Sequence, residues 1–137
     1  MEKLSAIDLM SLSMQIEKQK METATYNLSI INQSFGDRLS VQRAQKVDVA
    51  NLPSIDEVIS GVRSKEIQVN SQDDGNVVGR VVSYEGGKPV IQYRSDIKIE
   101  AQMIHLNDAT RAYEASLRLF NMNKEMSSKI LQIGSKR

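Results

Sequence analysis

The sequence predicts a mainly α-helical chain with a small β-insertion, whose two long end helices form a coiled-coil-like pair. Three observations carry this expectation. Apolar residues recur at alternating spacings of three and four near both ends. Two β-branched runs in the middle flank a Glu-Gly-Gly-Lys turn. Aromatics make up only 4% of the 137 residues, so the apolar mass is Met, Ile, Leu and Val, which suit thin helical seams better than a thick core.

The N-terminal segment, 1–34, reads as one helix over residues 4–33. Ile7, Met14, Met21 and Leu28 recur every seven residues, and Met10, Ala24 and Ile31 follow members of that series by three. This is the alternation of a coiled-coil seam, broken at Glu17 and extended backwards by Leu4. No Gly or Pro interrupts it.

Residues 35–64 read as a loop with room for one short helix. Ser34-Phe35-Gly36-Asp37 is a helix stop, and the chain to residue 52 shows no clear period, which predicts an extended or mobile loop. Ser54 and Glu57 then have capping-box spacing, Ile55, Val58 and Ile59 share a face, and Gly61 is a helix stop. The segment is either a capped helix or an ordered loop.

Residues 65–95 read as β. Ile67 and Val69 alternate with polar neighbours, and Asp73-Asp74-Gly75-Asn76 is a turn. Val77-Val78, Val81-Val82 and Tyr84 lead into Glu85-Gly86-Gly87-Lys88, a hairpin turn where glycine reaches positive φ at little cost. Val90, Ile91 and Tyr93 form the returning strand.

The C-terminal segment, 96–137, reads as a second long helix over 96–133. Ile99, Met103, Leu106, Thr110, Tyr113, Leu117, Phe120, Lys124, Ser127 and Leu131 follow the same alternation. A second row runs Ala115, Leu119, Met122, Met126, Ile130 and Ile133. Together these make an apolar surface wider than one partner helix covers. Gly134 is a stop, and Ser135-Lys136-Arg137 a polar tail.

Two helices enclose no core, so this second row needs another layer. Either the β-segment covers it, or neighbouring subunits do. In the second case the isolated chain is partly unfolded or self-associating, and its ordering is coupled to assembly.

Composition excludes several functions. The net charge is +1 with acids and bases intermixed, so neither nucleic acid nor a membrane surface is an expected partner. Absence of cysteine removes disulfides, thiolate nucleophiles and Cys-ligated zinc. No stretch has the apolar length of a membrane span. The N-terminus lacks the features of a cleaved signal, which by itself suggests the cytoplasm unless export uses an uncleaved signal. His105, the single histidine, has Asp108 three residues on, too few ligands for a metal site. No nucleotide loop, catalytic triad or carboxylate pair stands out, so no enzyme activity, cofactor or small-molecule substrate is expected.

Several side chains are candidates for subunit contacts. Tyr113 offers a ring for packing and a hydroxyl for one hydrogen bond. Arg111 and Glu114 flank it and suit inter-subunit ion pairs, or a solvated face. Asn27 and Asn32 offer amides to a neighbour, or a helix cap. The seven methionines suit one surface meeting non-identical neighbours, although ordinary packing accounts for most of them. The candidate interface is therefore Ile7, Met14, Met21, Asn27, Leu28 and Asn32 on the first helix. On the last it is Met103, Leu106, Arg111, Tyr113, Glu114, Leu117, Phe120, Met126, Ile130 and Leu131.

The last helix also carries a motif series. Glu100-Ala101-Gln102-Met103-Ile104, Thr110-Arg111-Ala112-Tyr113-Glu114-Ala115, Lys124-Glu125-Met126 and Ile130-Leu131-Gln132-Ile133-Gly134 stand in an order and spacing that resemble the flagellar axial family of rod, hook and hook-associated proteins. In the first helix, Asn27-Leu28-Ser29-Ile30-Ile31-Asn32 is similar to that family's Asn-Leu-Ala-Asn-Ala-Asn stretch. The short chain and the Leu-Gln-Ile-Gly ending resemble the proximal-rod, FlgC-type members. The likeness covers both ends, about half the chain; Gln33-Ser34-Phe35-Gly36 stands where the family has a Thr-Pro-Gly-like turn. The resemblance implies a structural subunit exported unfolded by the flagellar export apparatus without a cleaved signal. It implies helical polymerisation with copies of itself and other rod proteins, end helices in the wall of a hollow periplasmic tube, and torque transmission from motor to hook. The alternative is a soluble helical adaptor or secretion chaperone that binds a partner through the same seams.

Overall fold

Two long helices bracket three two-stranded antiparallel sheets in the computed structural model, which describes residues 2–135. Strand β1 (Glu2–Lys3) precedes helix α1 (Ala6–Ile30), followed by a 3₁₀ turn (Arg38–Ser40) and β2 (Gln45–Ala50). Then come α2 (Ile55–Ser60), β3 (Val62–Arg63), β4 (Gln68–Asp73), β5 (Val77–Glu85), β6 (Lys88–Ser95) and α3 (Ile99–Ser135). The expected mixture of long end helices and a small β-insertion is present. Gly134, expected to stop the last helix, is inside it, and Ser135 of the expected polar tail is its last residue; Lys136 and Arg137 lie outside the described residues.

Helix α1 starts later than its apolar pattern does. Leu4 donates its backbone N–H to Gly61 O at 2.6 Å, which holds it in extended chain. Ser5 is the N-cap and forms a capping box with Asp8. The expected capping box of α2 is also present: Ser54 Oγ accepts from Glu57 N, and Glu57 reaches back to the Ser54 N–H. Gly61, at φ 73°, takes the left-handed C-cap and donates to Glu57 O, so the segment is a capped helix rather than a loop.

The chain between α1 and α2 departs from the expectation of a patternless loop. Residues 45–50 form β2, paired in full register with β4 from Gln45↔Asp73 to Ala50↔Gln68. Val47 and Val49 supply the period-two alternation. The β-segment is accordingly not one meander. Strand β4 pairs back to β2, β5 pairs with β6, and β6 meets Phe35 in an isolated bridge through Tyr93. Gly86 and Gly87, at φ 56° and 79°, make the expected tight turn between β5 and β6.

The core is thin. Leu4, Ala24, Ile30, Val41, Ala44, Val77 and Ala109 are its buried apolar residues, five of them no larger than valine and three of those alanine. A compact monomer of 15.4 kDa exposes about 7,200 Å², whereas this chain exposes 10075 Å². The difference is the surface of two-stranded sheets and of long helices covered on one side at most.

Candidate assembly interface

Helices α1 and α3 pack antiparallel, and three side-chain contacts fix their register. The hydroxyls of Ser13 and Ser116 lie 2.9 Å apart. Thr110 donates to Met21 Sδ at 3.4 Å. Asn27 Nδ2 donates to Gln102 Oε1 at 3.0 Å. Continued to the start of α1, this register sets Ala6 opposite Asn123, the last half-covered residue of α3. Residues 124–134 run past the end of α1 and all are exposed. At 1.5 Å per residue, α3 from Lys124 to its end at Ser135 projects by roughly 18 Å.

The second apolar row starts on α3 opposite the beginning of α1 and continues onto the free end. Leu119, Met122, Met126, Ile130 and Ile133 are 53–65% exposed, and Leu131 is 73% exposed. No strand covers them; α3 packs principally on α1. Burying such side chains from their present exposure contributes about 1–2 kcal/mol each, so the row holds several kcal/mol of unused association energy.

The seam itself sits one residue away from its expected line. Leu106, Tyr113 and Phe120 are half-buried as expected, but their seam partners are Gln102, Ala109, Ser116 and Asn123. Met103 and Leu117, expected in the seam, are 45% and 39% exposed, and Ile99 is 51% exposed. Small residues explain the rotation. Ala109, at 2% exposure, and Ser116 let α1 approach where Leu117 or Met103 would hold it off. Lys124 closes the seam over the Phe120 ring, its Nζ 5.8 Å from the centroid.

On α1, Ile7, Met14, Met21 and Leu28 are all half-covered, and Ala24 is 2% exposed. Asn27 is placed differently from its expected role. At 2% exposure it faces its own chain. Its amide donates to Gln45 O at 3.0 Å and to Gln102, and its carbonyl accepts from Gln45 N at 2.8 Å. It ties α1, β2 and α3 together and has no free group to offer a neighbour. Asn32, Arg111 and Glu114 are exposed. So are Met126, Ile130 and Leu131, which makes the far end of α3 the accessible part of the expected interface.

A cleft of about 500 Å³ lies between α1, α3 and β2, lined by Lys20, Asn27, Lys46, His105 and Asp108 among others. Among the described residues no cluster of three His, Asp or Glu side chains could hold a metal ion. No helix among them is long and apolar enough to cross a membrane.

Two carboxylates are perturbed, both at helix starts. The backbone N–H of Ser5, 2.9 Å away, holds the Asp8 carboxylate below its ordinary range; the Ser5 hydroxyl and the charge of Arg63 add to this. Glu57 is lowered chiefly by the Ser64 N–H at 2.9 Å, with Ser54 assisting. The Ser5 cap was readable as a Ser-x-x-Asp spacing just before the apolar series. These groups fix where helices begin and carry no catalytic geometry.

No known protein-family model matches this chain, and no curated protein matches it.

Proposed function

We propose that this chain is a structural subunit of the bacterial flagellar proximal rod, polymerising with copies of itself and other rod proteins through its end helices. The observation that carries this reading is the apolar far end of α3, residues 124–134, whose apolar side chains stay exposed among the described residues. That end holds Leu131-Gln132-Ile133-Gly134, one of the motifs that carry the family resemblance. The large exposed surface supports the same reading, because subunits whose fold is completed by neighbours keep such surface when alone. In this role the antiparallel α1–α3 pair bears load along its axis, the β5–β6 hairpin projects away from it, and the protein works without cofactor or catalysis. Its place is the periplasmic part of the basal body, reached through the flagellar export apparatus.

Imaging of purified basal bodies carrying a tagged copy tests this. Density for the tag is expected between the export gate and the distal rod. Intact basal bodies that lack the chain contradict it. Deletion of residues 1–34 or 96–137 is expected to abolish incorporation in either case, whereas an adaptor protein would keep partner binding with one helix remaining.

A further inference from the structure

We infer that the free end of α3 docks on the exposed face of α2 in a second copy of this chain, the two copies lying side by side with an axial stagger. This deepens the proposed function and takes from it only that copies of the chain meet.

Helix α2 and the chain just before it carry large apolar side chains left exposed among the described residues. Leu52, Ile55 and Ile59 are 60%, 78% and 79% exposed, and Ile55 and Ile59 stand one turn apart on one side. The face is held firmly for so short a helix. Its start is capped by Ser54 and Glu57, its end by Gly61, and Gly61 O is tied to Leu4 at the beginning of α1. That tie puts α2 at the end of the molecule from which α3 projects. Within one chain α2 packs chiefly on β3, and α3 chiefly on α1. A neighbour displaced along the axis by part of the roughly 18 Å free end brings its own α2 alongside the free end of the first copy.

Charge selects this pairing over two free ends packed together. The free end carries Lys124 and Lys129 against the single acid Glu125, and the sequence continues with Lys136 and Arg137. Residues 52–61 carry Asp56 and Glu57 and no basic residue, Arg63 and Lys65 coming after the Gly61 cap, and Asp56 is the acid not engaged in capping. Free end on free end sets basic against basic, whereas free end on α2 sets basic against acidic. The contact is heterologous, because the two surfaces differ, and it repeats from copy to copy in one direction. Its apolar area is a few hundred Å² at roughly 60–120 Å² per buried aliphatic side chain. This is below what a stable isolated dimer needs, so the contact is weak singly and gains strength by repetition.

The chain has no cysteine, so introduced thiols report on this contact alone. Ile59→Cys and Ile130→Cys proteins, one bearing a size tag, are mixed and oxidised in purified solution. Circular dichroism first establishes that each keeps the helicity of the parent. The mixed disulfide is expected as the dominant cross-linked species, rising with concentration and lost when Asp56→Lys is added to the Ile59→Cys protein. Dominance of Ile130→Cys homodimers, or no mixed product beyond that of a control pair using Ser83→Cys, overturns the inference. The assay needs no flagellum. Absence from basal bodies with the cross-link intact therefore counts against the rod assignment alone, and loss of the cross-link with normal incorporation counts against this contact alone.

Discussion

Asn27 and Gln102 stand 75 residues apart in sequence and share a 3.0 Å hydrogen bond between their side-chain amides. With the two bonds from Asn27 to Gln45, this makes a polar clasp in a well-covered region of a thinly packed chain. The N-terminal helix, the C-terminal helix and β2 are held there together, and toward the far end of α3 the cover falls away.

Replacing Asn27 with alanine removes all three bonds and leaves the Gln45 N–H and C=O without partners. A destabilisation of about 1–3 kcal/mol is expected, read as a lower urea midpoint. Asn27→Asp goes further. It keeps the acceptor for Gln45 N but sets a buried carboxylate against Gln45 O, so its deficit shrinks as pH falls and the carboxyl takes up a proton.

Ala109 and Met103 separate the observed seam from the one that spacing alone suggests. Ala109→Leu forces the helices apart at a 2% exposed position and is expected to cost about 1–3 kcal/mol. Met103→Ala, at 45% exposure, is expected to change stability by less than about 0.5 kcal/mol. Thermal melts of the two variants check this; equal losses contradict the seam described.

The capping carboxylates give a pH dependence whose sign follows from their lowered pKa values. Asp8 and Glu57 bind protons less readily folded than unfolded. Their contribution is therefore complete above the ordinary carboxylate pKa, about 4, and is lost as pH falls through the lowered folded values. Acid titration followed by NMR is expected to show fraying at Ser5 and Ser54 before the α1–α3 clasp opens. Asp8→Asn removes the acid sensitivity at the first of these sites.

Ile130→Lys with Leu131→Lys tests the free end directly. Both residues are well exposed, at 65% and 73%, so the monomer keeps its helical content. Self-association is expected to fall sharply, measured by sedimentation across a concentration series. Lost helicity at matched dilution contradicts the claim that nothing in the same chain covers this surface.

The two long helices and the β5–β6 hairpin were legible in the sequence because each rests on local signals: heptad spacing, an uninterrupted run, and a Gly-Gly turn between β-branched residues. The α2 caps were legible for the same reason. What escaped depends on distant partners. Strand β2 shows only Val47 and Val49 as apolar alternation, and its pairing with β4 is decided by the clasp at Asn27 and Gln45. The one-residue rotation of the α3 seam turns on Ala109 and Ser116, small residues that spacing rules pass over because they contribute little apolar mass. Asn27 read as a surface amide because nothing local signals that Gln45 and Gln102 converge on it.

Hydrogen exchange over residues 124–134, measured from high dilution to high concentration, reads out whether neighbouring copies complete the fold. Weak amide protection is expected in the dilute monomer, rising with concentration, while amides around Asn27 and Ala109 stay protected throughout. Strong protection of residues 124–134 in a dilute, monodisperse monomer would mean that the chain completes its own fold, and would contradict completion by neighbours.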